Sequence, residues 1–161
     1  MPSNTPQVDP RGPRFGAWIT TVVLAVVLVT GWWPLLAAQA VVFAVGAFAG
    51  LGYAPYGLIY QRFVAPRLGP AAEREEAAPP RFAQLVGFGF AVAGVLGYAS
   101  GPTVLGLVAT ALALIAAFLN AAFAFCLGCE VYLLLRRFGV PAFGVTSNSG
   151  TTNNDELGAI R

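Results

Sequence analysis

The chain contains two cysteines and no histidine, and both cysteines fall in Phe125-Cys126-Leu127-Gly128-Cys129-Glu130. Cys-x-x-Cys spacing lets two sulfurs close a small disulfide ring, so such a pair can shuttle between dithiol and disulfide. At a helix N-terminus the unpaired backbone N–H groups stabilise a thiolate and lower the thiol pKa. Thiolate attack on a disulfide or a sulfane sulfur gives a mixed intermediate, which the second cysteine resolves. On this reading Cys126 attacks, Cys129 resolves, and Glu130, one turn from Cys126, accepts or delivers a proton. As a nearby anion Glu130 also opposes thiolate formation. The candidate catalytic residues are therefore Cys126, Cys129 and Glu130. Two other readings stay open. A soft metal needs few ligands, although two thiolates and Glu130 fall short of a closed zinc site unless two chains share it. Cysteine also packs in helices simply as a small apolar residue.

The elements that must hold these residues follow from composition. The sequence is 57% hydrophobic and only 10% charged, with a mean hydropathy of +0.71. Soluble domains carry about 25% charged residues, so the bilayer is the expected solvent. All nine basic residues are arginine, and the net charge is +2; charges so few and scattered give no nucleic-acid footprint. The lack of histidine removes the commonest general base and haem or zinc ligand.

Four apolar runs, Phe15 to Thr30, Leu35 to Tyr53, Phe82 to Ser100 and Val104 to Phe125, each approach the roughly 20 residues a membrane helix needs. Lipid offers no partners for the backbone, so each run is expected to be helical. Gly-Trp-Trp-Pro at 31–34 and Ser-Gly-Pro at 100–102 mark tight turns, with Trp32, Trp33 and Tyr98 suited to a headgroup belt. The expected fold is all-α: an integral membrane bundle of four transmembrane helices. Arg11 and Arg14 precede the first span, Arg62, Arg67, Arg74 and Arg81 separate the second and third, and Arg136, Arg137 and Arg161 follow the fourth. Cytoplasmic loops carry the excess of arginine, which places both termini and the 54–81 loop in the cytoplasm. A signal peptide cleaved near Ala38-Gln39-Ala40 is the competing reading of the start; the apolar run continues past it.

The two halves resemble each other. Pro13-Arg14-Phe15 opens span one and Pro80-Arg81-Phe82 opens span three, and each second span is followed by Arg-Phe-x-x-Pro, at 62–66 and 137–141. This suggests two duplicated helical hairpins, 14–66 and 81–141, joined by a cytoplasmic linker at 67–80 and related by an axis along the membrane normal. Each hairpin would be followed by a short interfacial helix: Pro55 breaks the first exit, and Cys126 would open its counterpart. Residues 1–13 are expected to be loose, and the polar tail 142–161 disordered.

Helical spacing supports a break before the cysteines. Gly106, Thr110, Ala113, Ala117, Asn120, Ala124 and Gly128 form a seam of small residues suited to helix packing. A straight fourth helix continuing to Leu135 would turn Cys126 and Glu130 away from that seam, exposing a carboxylate to lipid at a cost of about 2–3 kcal/mol. An exit near Phe125 would avoid this, as would packing of that face on another span. Asn120 is expected to bond between helices. Gly46, Gly50, Gly87, Gly89, Ala93, Gly94 and Gly97 are expected on packing faces, and Glu73, Glu75 and Glu76 in a solvated loop.

Val8-Asp9-Pro10-Arg11-Gly12-Pro13-Arg14-Phe15, Pro79-Pro80-Arg81-Phe82-Ala83-Gln84 and Phe118-Leu119-Asn120-Ala121-Ala122-Phe123 leading into Phe125-Cys126-Leu127-Gly128-Cys129-Glu130 resemble a family of small bacterial, chiefly actinobacterial, membrane proteins of unknown function, domain of unknown function 4395. The resemblance covers roughly residues 8–140. It implies a multi-pass protein of the bacterial inner membrane and, because genes of that family lie beside thioredoxin-like proteins and thiosulfate sulfurtransferases, a part in thiol or sulfur traffic. Four spans with a Cys-x-x-Cys are also similar to quinone-linked membrane redox proteins of the DoxX and DoxD type, although no local motif fixes that link. The expected function is thiol–disulfide or sulfane-sulfur exchange with a thioredoxin-like or sulfurtransferase partner. Net turnover needs an acceptor, for which a quinone between the helices would serve; no residue demands a cofactor. The alternatives are a non-enzymatic anchor for a soluble redox or sulfur protein, or a soft-metal carrier. Small-residue seams would also suit a homo-oligomer. A cytosol-facing dithiol is expected to rest reduced.

Overall fold

Long apolar runs separated by two uncharged turns and one charged loop give an all-helical protein, seen in a computed structural model that describes residues 6–71, 73–101 and 103–139. The expected tail at 142–161 lies outside the described residues. The elements are β1 (Gln7–Val8), α1 (Arg11–Thr30), α2 (Trp33–Ala44) with a π-helical turn at Val45–Ala49, α3 (Pro55–Ile59) with a π-helical turn at Tyr60–Val64, α4 (Ala65–Leu68), β2 (Glu75–Glu76), α5 (Ala78–Ser100), α6 (Thr103–Phe123) and α7 (Leu127–Arg137).

Three helices are long and apolar enough to cross a membrane: α1, α5 and α6, with 20, 23 and 21 residues. The second expected span is shorter than its apolar run. α2 has 12 residues and its π-helical turn five. The helix then stops at Gly50, whose φ of 117° no helix accommodates. The apolar surface lies mostly outside: no more than 28% of the most apolar stretch of any span is buried, and side chains such as Val22, Val29 and Val104 are exposed. A bilayer, not water, suits such a surface.

Inside, Leu24 and Val27 of α1, Leu36, Ala40 and Phe43 of α2, Ala91 of α5 and Ala113 of α6 form one core cluster. α6 packs on both α1 and α5, and α2 packs on α5 and less extensively on α1, closing a ring of four helices. Small residues allow the close approaches. A Cβ on Gly97 would strike the backbone of Gly106, and one on Gly94 would lie 2.7 Å from Leu36. Gly87 similarly faces Phe43, and Gly46 faces Gln84. Two expectations need correction. A Cβ on Gly89 would meet nothing within 4 Å, so this residue is off the packing face, and Gly50 serves the turn. At the turn end of the bundle Trp32 and Trp33 are exposed. Tyr98 is not in an exposed belt: its ring lies over Gly106, and its hydroxyl is buried without a partner among the described residues.

The eight described arginines share the other end, where α1 and α5 begin and the chain leaves α2 and α6. There β1 pairs antiparallel with β2, so part of the expected loose start is tied to the expected solvated loop. Asp9 accepts from the Arg11 amide and from the Tyr60 hydroxyl at 2.9 and 2.8 Å. The Ala38-Gln39-Ala40 stretch lies within α2, with Gln39 and Ala40 buried. The Gln39 amide donates to Thr20 of α1 at 3.4 Å and its carbonyl accepts from Tyr56 of α3 at 2.7 Å.

The two exit points share a device. Arg81, at the start of α5, donates to the carbonyls of Ala47 and Phe48 at the end of the α2 segment, at 3.0–3.2 Å. Arg14, near the start of α1, donates to Ala121 near the end of α6 at 3.4 Å. Because helix-end carbonyls near lipid have few other partners, Arg81→Gln should lower stability by about 1–3 kcal/mol. The exposed Arg74→Gln should stay within about 0.5 kcal/mol. Reversible denaturation in mixed micelles measures both.

Candidate functional site

α6 stops short of the cysteines. The last turn closes through the Ala124 amide to Asn120 O at 3.1 Å and the Phe125 amide to Leu119 O at 3.3 Å. Ala124 takes a positive φ of 57°, the left-handed conformation that commonly ends helices but favours glycine. Three residues, 124–126, then turn the chain into α7. The exit expected near Phe125 is therefore present, and Glu130 is not carried on along α6.

Cys126 is the N-cap of α7. Its φ of −89° and ψ of 98° are extended, and its Sγ accepts from the Cys129 amide at 3.3 Å. Its carbonyl accepts the first helical bond, from Glu130, at 3.0 Å. The sulfur thus occupies the place of a capping side-chain oxygen and points at the positive end of the helix. Cys126 and Cys129 are joined as a disulfide with Cα atoms 5.2 Å apart. The structure therefore holds the pair in its disulfide form. Both cysteines are half-buried and Glu130 is exposed, so exposure does not distinguish attacker from resolver. Of the two sulfurs, that of Cys126 accepts the capping bond.

α7 is positioned by packing on α5. A Cβ on Gly128 would lie 2.6 Å from Ala83, leaving room only for glycine, and Tyr132 is fully buried with its ring 5.7 Å from that of Phe82. Val131, Leu133 and Leu134 are exposed beside Glu130, Arg136 and Arg137, the mixture of an interfacial helix. Arg136 reaches Glu76 at 3.4 Å, both about half-exposed.

Behind the cysteines lies a cavity of about 850 Å³ among α1, α2, α5, α6 and α7. Cys126, Cys129 and Glu130 all line it, together with Arg14, Gln84 and Asn120, and it reaches Thr20, Phe43 and Ala113 in the body of the bundle. Asn120, expected to bond between helices, thus contributes to the cavity wall. Sequence reasoning missed Gln84, and saw Arg14 only as a topology signal and a repeat marker. Their shared signal was the Pro-Arg-Phe opening of each hairpin, with Gln84 two residues beyond Phe82. Among the described residues no group of three or more His, Cys, Asp or Glu could hold a metal ion. On the opposite exit, burial raises the Tyr56 phenol above its ordinary pKa; burial, the bond to Asp9 and the charge of Asp9 raise that of Tyr60, against Arg11.

The model of the family described as domain of unknown function DUF4395 matches residues 8–137, and the chain belongs to that family. No curated protein and no solved structure gives a match.

Two substitutions test this local architecture in opposite directions. Gly128→Ala should loosen α7 from α5 and cost about 1–3 kcal/mol, seen as faster amide exchange across 127–137, while Gly89→Ala should not. Ala124→Gly relieves the left-handed alanine and should stabilise by up to about 1 kcal/mol, raising the unfolding midpoint.

Proposed function

We propose that this DUF4395 protein is a four-span protein of the bacterial inner membrane with both termini in the cytoplasm, and that its Cys126–Cys129 pair exchanges electrons or sulfane sulfur with a thioredoxin-like or sulfurtransferase protein. The observation that carries the reading is the capping geometry: the only two thiols close across the first turn of α7, with the Cys126 sulfur receiving a helix N-terminal N–H. That geometry favours the thiolate form of Cys126 once the pair is reduced. Attack by this thiolate on a partner disulfide breaks the partner's S–S bond and forms a mixed disulfide. Cys129, losing its proton to solvent or to Glu130, displaces the partner's sulfur. Two electrons and two protons have then moved to the partner, and Cys126–Cys129 is again a disulfide. With a persulfide partner the outer sulfur passes to Cys126, and closure by Cys129 releases it as hydrosulfide.

The α2 segment serves as the remaining span. Its helix and π-helical turn together rise about 25 Å, slightly under the roughly 30 Å of hydrocarbon; local thinning accommodates such a mismatch. Charge supports the orientation, because all described arginines share the end that bears α7 and the opposite turns carry none. Two hairpins related by duplication account for three pairs of matching contacts. Arg14 and Arg81 each cap the other hairpin's second helix. Phe15 meets Tyr60 at 5.9 Å as Phe82 meets Tyr132 at 5.7 Å. Gly16 faces Tyr56 as Ala83 faces Gly128.

The test is a redox titration of the lipid-embedded protein against a thiol buffer, with free thiols trapped by a maleimide and counted by mass. A reversible two-electron transition between roughly −180 and −300 mV is expected. Cys126→Ser should abolish exchange, whereas Cys129→Ser should accumulate the mixed disulfide. Thiols that never oxidise, or that react with maleimide only after unfolding, would sink the redox reading and leave that of a membrane anchor.

A further inference from the structure

We propose that the cavity behind the cysteines binds a membrane quinone, which accepts the electrons of the Cys126–Cys129 dithiol; this rests on the redox reading above and names its second substrate. Two observations lead to it. The first is shape and lining. At about 850 Å³ the cavity lies within the range of roughly 300–1,000 Å³ typical of small-molecule sites. Its depth is apolar apart from Thr20, with Ala17, Phe43, Phe90 and Ala113, and the rest of its polar lining is gathered at the arginine-bearing end.

The second is what that polar lining contains. The two sulfurs share it with the carboxylates of Glu75, Glu76 and Glu130 and with the Asn120 and Gln84 carboxamides and the Arg14 guanidinium; the carboxamides and the guanidinium can donate to a carbonyl oxygen. An amphiphile with a carbonyl-bearing head and an apolar tail fits this division.

The electron balance selects a quinone from among such amphiphiles. Closing the disulfide releases two electrons and two protons, and a quinone takes up both pairs to become a quinol. The Cys126–Cys129 bond forms, the two S–H bonds break, and two O–H bonds form on the quinol. A phospholipid acyl chain would fit the apolar depth but could accept nothing.

The experiment uses the full chain in nanodiscs, reduced and kept free of oxygen, with a fully substituted benzoquinone carrying a decyl tail. The expected result is one quinol formed and two maleimide-reactive thiols lost per chain. Ala116→Phe and Ala117→Phe, which narrow the cavity, should slow this at least tenfold while oxidation by water-soluble diamide keeps its wild-type rate. A dithiol that diamide oxidises but the quinone does not, or Phe variants that react with quinone as fast as wild type, would overturn the inference and leave exchange with soluble proteins standing. A dithiol that neither reagent closes refutes the redox reading itself. Should both variants fail to fold, photolabelling of the wild type with an azido-quinone decides. Label on 112–124 supports the site, and label confined to the lipid-facing 104–108 stretch, as for a merely dissolved quinone, overturns it.

Discussion

A helix that ends at the edge of a bilayer leaves up to four carbonyls without partners, and lipid supplies none. In this protein arginine side chains supply part of what is missing, and each comes from the other hairpin. Arg81 takes two carbonyls where the α2 segment ends, and Arg14 takes one near the end of α6. The guanidinium suits the task, with five donors on a planar fork and a charge that complements the helix C-terminus. Because each cap crosses between hairpins, it also sets their relative height. The same residues help give the arginine-bearing end its excess of positive charge, so termination and registry share one set of side chains.

The position of the cysteines depends on this termination. Had α6 continued straight, its small-residue seam would have kept packing while Glu130 turned outward. Instead Ala124 bends the chain, Cys126 caps a new helix, and Gly128 lets that helix lie directly on Ala83. A left-handed alanine costs about 1 kcal/mol or more relative to glycine, and the packing of Tyr132 against Phe82 offsets it. Holding a sulfur at a helix start therefore requires both a break and a close contact only two residues after Cys126.

The all-helical, membrane-like class was legible in the sequence because a bilayer leaves so few options: three apolar runs became helices long enough to span, and the break before the cysteines fell where helical spacing put it. The α2 segment was not read correctly. Its apolar run extends to Tyr53, but the π-helical turn and Gly50 end the helix earlier, and no periodicity signals that. Tyr98 looked like an interfacial aromatic until Gly106 drew it inward; Gly89 looked like its neighbours but faces away. Cys126, Cys129 and Glu130 were visible through type and spacing alone. The other half of the site, with Arg14, Gln84 and Asn120, comes from three helices that only the folded bundle brings to one wall. The Thr20–Gln39–Tyr56 network was hidden for the same reason.

The two exits differ at the place of the cysteines. The ring pairs align Tyr60 with Tyr132 and Tyr56 with Gly128; by the same offset Ala54 stands at the place of Cys126, Gly57 at that of Cys129 and Leu58 at that of Glu130. Both Ala54 and Cys126 are helix caps with extended backbones, but an alanine methyl can accept nothing, whereas the Cys126 sulfur takes the Cys129 amide. The first exit uses its interior space for hydrogen bonds, since Tyr56, Gln39 and Thr20 tie α3 to α1 and α2. At the second, Gly128 instead lets α7 lie directly on Ala83 of α5, and the two sulfurs line a cavity. One exit is thus tied by side-chain hydrogen bonds and the other by close backbone packing, so each short helix is held to the bundle by a different interaction.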